Sequence, residues 1–244
     1  MNNNKLTLLC FSYAGGSAEF YLRWQNLLPN IKIIPVEIPG RGRALNLQTL
    51  NTRDHLVDYL MKHYAQWCIP PFAFFGHSLG ARIALEFLLV LEKQCGIRAS
   101  QLFISGCLAP IRFTQAMCIY EQNLSDATLL QILAELGGTP PELMTNSALM
   151  KSALPVIRAD FQLAIDLSKS PITSIFTPIY LLLGNKDKVT NLFKDYPGWA
   201  QYTSCECQVS VIDGAHFFIR TQTKLVANLV RHKLKELSLQ ETKF

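Results

Sequence analysis

The 244-residue chain has no apolar stretch approaching the ~18 residues that a membrane-spanning helix needs. The apolar run that follows Met1-Asn2-Asn3-Asn4-Lys5 is only about six residues long, too short for a secretory signal. Internal repeats and low-complexity linkers are missing. Charged residues are scarce at 17% against 49% hydrophobic, which excludes the composition of a disordered chain. The seven cysteines are odd in number, and Cys10 and most others lie in apolar runs where they act as small hydrophobes. Cys205-Glu206-Cys207 has no second ligand pair at a zinc spacing, so no metal is expected. There is no dinucleotide fingerprint and no nucleic-acid reader motif, so neither a cofactor nor a nucleic-acid partner is expected. A reducing, cytoplasmic setting is the resulting expectation, and we take the chain to act as a monomer.

What is present suits one domain spanning residues 1–244. A chain of this size buries roughly 70% of its unfolded surface. The mean hydropathy of +0.16 leads us to expect an apolar groove or pocket as well as a core. The net charge is +5, and the basic side chains are scattered apart from Lys224, Arg231, His232, Lys233 and Lys235. That cluster reads as the solvated face of a last helix. The positive balance would also steer an acidic partner toward the protein.

Strand-like and helix-like segments alternate through the first half. Strands are expected at residues 6–12, 31–36, 72–75 and 102–105, and helices at 18–28, 52–67 and 79–93. This alternation implies an α/β fold: a mostly parallel central sheet flanked by helices. The alternation breaks at residues 119–170, where the pattern is helical, as at 126–136 and 154–167, with Gly137-Gly138-Thr139-Pro140-Pro141 between. Strand character returns at 179–183 and 208–212, and a last helix is expected at 223–237. A helical insertion at that point is expected to be a lid over the active site.

Gly76-His77-Ser78-Leu79-Gly80 matches the G-x-S-x-G elbow, between an apolar strand and a helix. Small residues two before and two after the serine let a tight strand-to-helix turn close. A serine hydroxyl needs a base. His55 and His63 lie upstream on a helix, His77 is the elbow neighbour, and His232 lies on the last helix. His216 follows a late strand, in Asp213-Gly214-Ala215-His216-Phe217-Phe218, and is the expected base. Asp187, just after the strand at 179–183, is the expected orienting acid. Its competitors are Asp195 and Asp213, with Asp160 and Asp166 set aside because they fall in the insertion. Two backbone N–H donors are expected for the oxyanion: Leu79, and Ala14 in Ser12-Tyr13-Ala14-Gly15-Gly16-Ser17, with Tyr13 as second choice.

Taken together, these residues resemble the type II thioesterases that accompany nonribosomal peptide and polyketide synthases, members of the α/β-hydrolase superfamily. The resemblance runs through Leu9-Cys10-Phe11-Ser12-Tyr13-Ala14-Gly15-Gly16-Ser17, Phe20, Trp24 and Leu28-Pro29. It continues in Ile38-Pro39-Gly40-Arg41-Gly42, Phe75-Gly76-His77-Ser78-Leu79-Gly80-Ala81 and Gly214-Ala215-His216-Phe217-Phe218. Ser12 stands where that family usually has proline, Arg43 comes one step early, and Gly184-Asn185-Lys186-Asp187-Lys188 keeps only the second aspartate of the usual loop. The resemblance implies the α/β-hydrolase fold. It implies as substrate an acyl group on the phosphopantetheine arm of an acyl or peptidyl carrier protein, removed when a chain is stalled or misprimed. A carrier protein is usually acidic, which suits the net charge of +5. Two other readings use the same residues. A general carboxylesterase or lipase would act on small soluble esters and not on carrier thioesters. A hydrolase fold reduced to a binding module would have no need of Ser78, Asp187 and His216 together.

Overall fold

The computed structural model describes residues 5–121, 124–137, 146–171 and 173–241. Six strands, β1 (Thr7–Phe11), β2 (Lys32–Val36), β3 (Phe72–His77), β4 (Gln101–Ser105), β5 (Ile179–Gly184) and β6 (Cys207–Ile212), form one sheet in the order β2-β1-β3-β4-β5-β6. Every pairing is parallel. The register sets Phe11 beside Gly76 and His77 beside Ser105, so the C-terminal ends of β1, β3 and β4 lie level at one edge.

Alternation along each strand divides the core. Phe72 and Phe74 of β3 join Leu9 and Phe11 on one face. Ala73 and Phe75 join Leu8, Cys10, Tyr21 and Trp24 on the other. Both faces are covered by helices, which is why these strands read as continuous apolar runs. The helices are α1 (Trp24–Leu27), α2 (Arg53–Tyr64), α3 (Leu79–Val90), α4 (Pro110–Cys118), α5 (Asp126–Leu136), α6 (Ser147–Ser168), α7 (Leu192–Ala200), α8 (Phe218–Thr221) and α9 (Thr223–Glu241). All twelve residues of α3 are buried, including Arg82 and Glu86. Arg82 donates to Glu86 at 2.6 Å and to the Leu167 carbonyl at 2.9 Å, which pins α3 to the end of α6.

Three expectations change. Residues 18–28 form a 3-10 turn (Ala18–Tyr21) followed by the single α-turn α1 instead of one helix. The buried Tyr21 and Trp24 are three residues apart, the repeat of a tight turn, and the Tyr21 hydroxyl donates to the Phe11 carbonyl at 3.0 Å. The helix expected over 79–93 leaves α geometry after Val90 for one wider turn, Leu91–Cys95, and stops at Gly96 with φ 66°. Lys233 also departs from the expected solvated face: it is buried along its stem, with its ammonium 3.7 Å from Glu206.

Between β4 and β5 the described residues hold helices and no strand; α5 and α6 share a small apolar core of Leu129, Ile132, Leu133, Met150, Ile157 and Phe161. The separator expected at Gly138-Thr139-Pro140-Pro141 lies outside the described residues. Among the described residues, no helix is long and apolar enough to cross a membrane.

Candidate active site

Strand β3 runs straight into α3 through Ser78, whose backbone is held at φ 53°, ψ −122°. No other non-glycine residue among those described has a positive φ. Such strain costs on the order of 1–3 kcal/mol and persists only where the surroundings impose it. The elbow glycines allow it by close approach. A Cβ on Gly76 would lie 2.4 Å from the Ala81 backbone, and one on Gly80 would lie 2.3 Å from the Phe11 carbonyl oxygen. Hydrogen alone fits at both positions, so α3 can begin directly against the end of β1.

Ser78, Asp187 and His216 follow β3, β5 and β6, and the parallel sheet delivers all three to its C-terminal edge. Ser78 Oγ lies 3.0 Å from His216 Nε2, and His216 Nδ1 lies 2.9 Å from Asp187 Oδ2. A carboxylate only accepts, so Nδ1 carries the proton and Nε2 is left to accept from the serine hydroxyl. The Asp187 side chain is buried and accepts further from the Val189 N–H (2.8 Å) and the Thr190 hydroxyl (2.7 Å). Burial alone would raise its carboxyl. The hydrogen bond and charge of His216, with the bonds from Val189 and Thr190, outweigh that and hold it below the usual carboxylate range.

Leu79 opens α3, where backbone N–H groups have no helical partner. Ala14 occupies a turn closed by the Gly16 N–H donating to the Tyr13 carbonyl at 2.9 Å, a bond that leaves the Ala14 N–H unused. Two hollows meet at Ser78 and Ala14. The larger, about 480 Å³, is walled by Tyr13, Arg41, Val156, Ile157, Phe217 and Arg220. The smaller, about 160 Å³, is walled by Cys107, Leu108, Phe113, Met117, Ile132 and Phe161. Cys107 is no rival nucleophile, since burial pushes its thiol up to about 12.

A family model for the thioesterase domain matches residues 6–234. The chain belongs to the thioesterase family. The thioesterase PikA5 of Streptomyces venezuelae is 28% identical over 228 residues, which cover 93% of this chain and 80% of that protein. The structure of ClbQ, from the colibactin NRPS/PKS pathway, superposes with a TM-score of 0.81 at 27% identity, covering 97% of this chain and 99% of that one. YbtT, a type II thioesterase from the yersiniabactin NRPS/PKS pathway, superposes with a TM-score of 0.80 at 29% identity, covering 97% and 96%. This thioesterase is thus of the type II group associated with nonribosomal peptide and polyketide synthesis, on the α/β-hydrolase fold.

The rejected candidates of the thioesterase have other work. Asp195 is fully buried, accepts from the Ala109 N–H at 2.8 Å and pairs with Arg112, anchoring the start of α4 to α7. Asp213 pairs with Lys186 at the surface (2.8 Å). Asp166 accepts from the Arg53 N–H (2.7 Å). His55, His63 and His232 are exposed. Asp160 is different: it is buried in the wall of the smaller hollow, bonded to Arg41 and to the Gly15 N–H. Sequence reasoning missed both Asp160 and Arg41.

His77 lies fully buried with Nδ1 2.9 Å from Ser105 Oγ, its ring 5.4 Å from that of His216. Burial above all, and then His216, push its pKa well below the usual histidine value against the opposing charge of Asp187. The folded thioesterase therefore refuses a proton that the unfolded chain takes up below about pH 6.5. Stability falls as pH drops through that value, by up to ~1.4 kcal/mol per pH unit for this group. We expect His77→Asn, which keeps a partner for Ser105, to show a shallower fall between pH 6.5 and 5 in denaturant titrations. An unchanged slope would assign the acid sensitivity to other groups.

Proposed function

We propose that this thioesterase hydrolyses acyl groups held as thioesters on the phosphopantetheine arm of a carrier protein, clearing stalled or misprimed chains. The observation that carries the reading is the bonded chain Ser78–His216–Asp187 standing where two largely apolar hollows meet. In this mechanism His216 Nε2 takes the serine proton as Oγ attacks the thioester carbonyl. The Leu79 and Ala14 N–H groups receive the oxyanion. The protonated His216 then gives its proton to the departing thiol. Water attacks the acyl-enzyme with His216 again as base, and the free acid leaves. The helices at 119–170 act as a lid, giving the arm an entry through the larger hollow.

The smaller hollow supports a short apolar acyl group. At about 160 Å³ it is similar in volume to a ~150 Å³ apolar cavity that holds benzene, so we expect it to favour a short chain. The test is a panel of carrier proteins loaded with acetyl, butyryl, hexanoyl and palmitoyl groups, set beside the matching free thioesters and oxygen esters. We expect turnover of carrier thioesters, with kcat/KM falling by at least about tenfold from hexanoyl to palmitoyl, one missed 1.4 kcal/mol contact. Turnover confined to small oxygen esters would favour a general esterase instead.

A further inference from the structure

We infer that Asp160, carried on α6, is a positioning residue for the oxyanion site, so that the donor loop is set by the inserted helix and not by the sheet alone. This rests on the oxyanion role proposed above for Ala14. The Asp160 carboxylate is almost completely buried. Its Oδ2 accepts from the Gly15 N–H at 2.7 Å and from Arg41 Nη1 at 2.6 Å, and its Oδ1 accepts from Arg41 Nη2 at 2.5 Å. One carboxylate thus joins three segments: the loop after β1, the loop after β2 and the helix of the insertion.

Each partner is held from behind. Glu37 accepts from the Ala18 N–H and the Ser17 hydroxyl, both at 3.0 Å, and from the Arg43 N–H at 3.3 Å, tying the Arg41 loop to the end of the Ala14 loop. Ile157, one turn before Asp160 on α6, comes so close that a Cβ on Gly15 would meet it at 3.3 Å. The turn itself has Gly15 at φ 71° after Ala14 and a Gly16-to-Tyr13 bond, the form of a type II turn. In that form the peptide between Ala14 and Gly15 can flip. Holding the Gly15 N–H on Asp160 selects one orientation and commits that donor to the carboxylate. The Ala14 N–H is then the donor left for the site, beside Ser78.

The experiment measures kcat, KM and Tm with the butyryl thioester of N-acetylcysteamine. Asp160→Ala is expected to lower kcat by about 10²-fold with KM nearly unchanged, the size of one misplaced oxyanion donor. Asp160→Asn keeps an oxygen for the Gly15 N–H and is expected to lose no more than about tenfold. Because Asp160→Ala leaves the Arg41 cation buried and alone, Arg41→Leu/Asp160→Leu is the second arm. Apolar replacement of a buried pair is often neutral for stability, so this variant is expected to keep Tm and still lose kcat.

Ala14→Pro removes the donor at a position where type II turns favour proline. It should cost about 10²–10³-fold by itself, and adding Asp160→Ala should cost nothing further. Retention of kcat within about threefold in folded Asp160→Ala or Arg41→Leu/Asp160→Leu, or losses that multiply in the Ala14→Pro background, would overturn the inference. An undiminished rate in Ala14→Pro would instead overturn the oxyanion role of Ala14 on which it rests.

Discussion

Replacing Ser78 with alanine is expected to lower kcat on an acyl thioester by at least about 10⁴-fold. Ser78 Oγ is the group within hydrogen-bond reach of His216 Nε2, at 3.0 Å, and the neighbouring Cys107 thiol stays protonated. Among the described residues, no other serine, threonine or cysteine is bonded to His216. The fold should be untouched, because alanine keeps the Cβ and therefore the same strained backbone at φ 53°. Ser78→Gly separates the two effects. Glycine adopts a positive φ freely, so its Tm should exceed that of Ser78→Ala while the activity stays equally low. Equal rates for wild type and Ser78→Ala would remove the whole covalent mechanism.

Asp187→Asn is expected to cost about 10⁴-fold in kcat, through a proton in the wrong place. With a carboxylate as acceptor, His216 Nδ1 must carry the hydrogen and Nε2 is free for Ser78. An asparagine at 187 that keeps its oxygen on the Val189 N–H puts its NH₂ at the Oδ2 position, facing His216 and a Thr190 hydroxyl that can turn to accept. The imidazole then accepts at Nδ1 and carries its proton on Nε2, where it can no longer take one from the serine. Asp187 also contributes stability. A carboxyl held below its ordinary value stabilises the fold above about pH 4 and loses that contribution as pH falls through the folded value. The stability gap between wild type and Asp187→Asn should accordingly narrow in acid, read from unfolding at pH 7 and pH 3. A gap independent of pH would mean that the carboxylate is not held by its charge.

The elbow was legible because its requirements are local. Two glycines, an apolar strand before and a helix after are all contained within residues 72–90. His216 and Asp187 were legible for a related reason: each directly follows a strand, and parallel strands bring their ends to one edge. The boundaries were less so. Cys207 and Gln101 extend strands beyond the runs expected from hydrophobicity, because pairing with Ile179 and Ala73 holds them there. The break in residues 18–28 came from fitting Tyr21 and Trp24 beneath the sheet, which no helical periodicity could announce.

Asp160 marks the boundary between the two kinds of information. In the sequence it is one of several acids in a helical insertion, with nothing nearby to distinguish it. In the fold it meets Arg41, 119 positions away, and Gly15, 145 positions away. The sequence alone determined which residues to bring together, because Ser78, His216 and Asp187 each carry their structural context in their immediate neighbours. Tertiary structure alone decided how that chemistry is enclosed and aligned. A buried ion pair between distant segments leaves no periodicity and no spacing to read, and exists only once the helix carrying one charge has packed over the loop carrying the other.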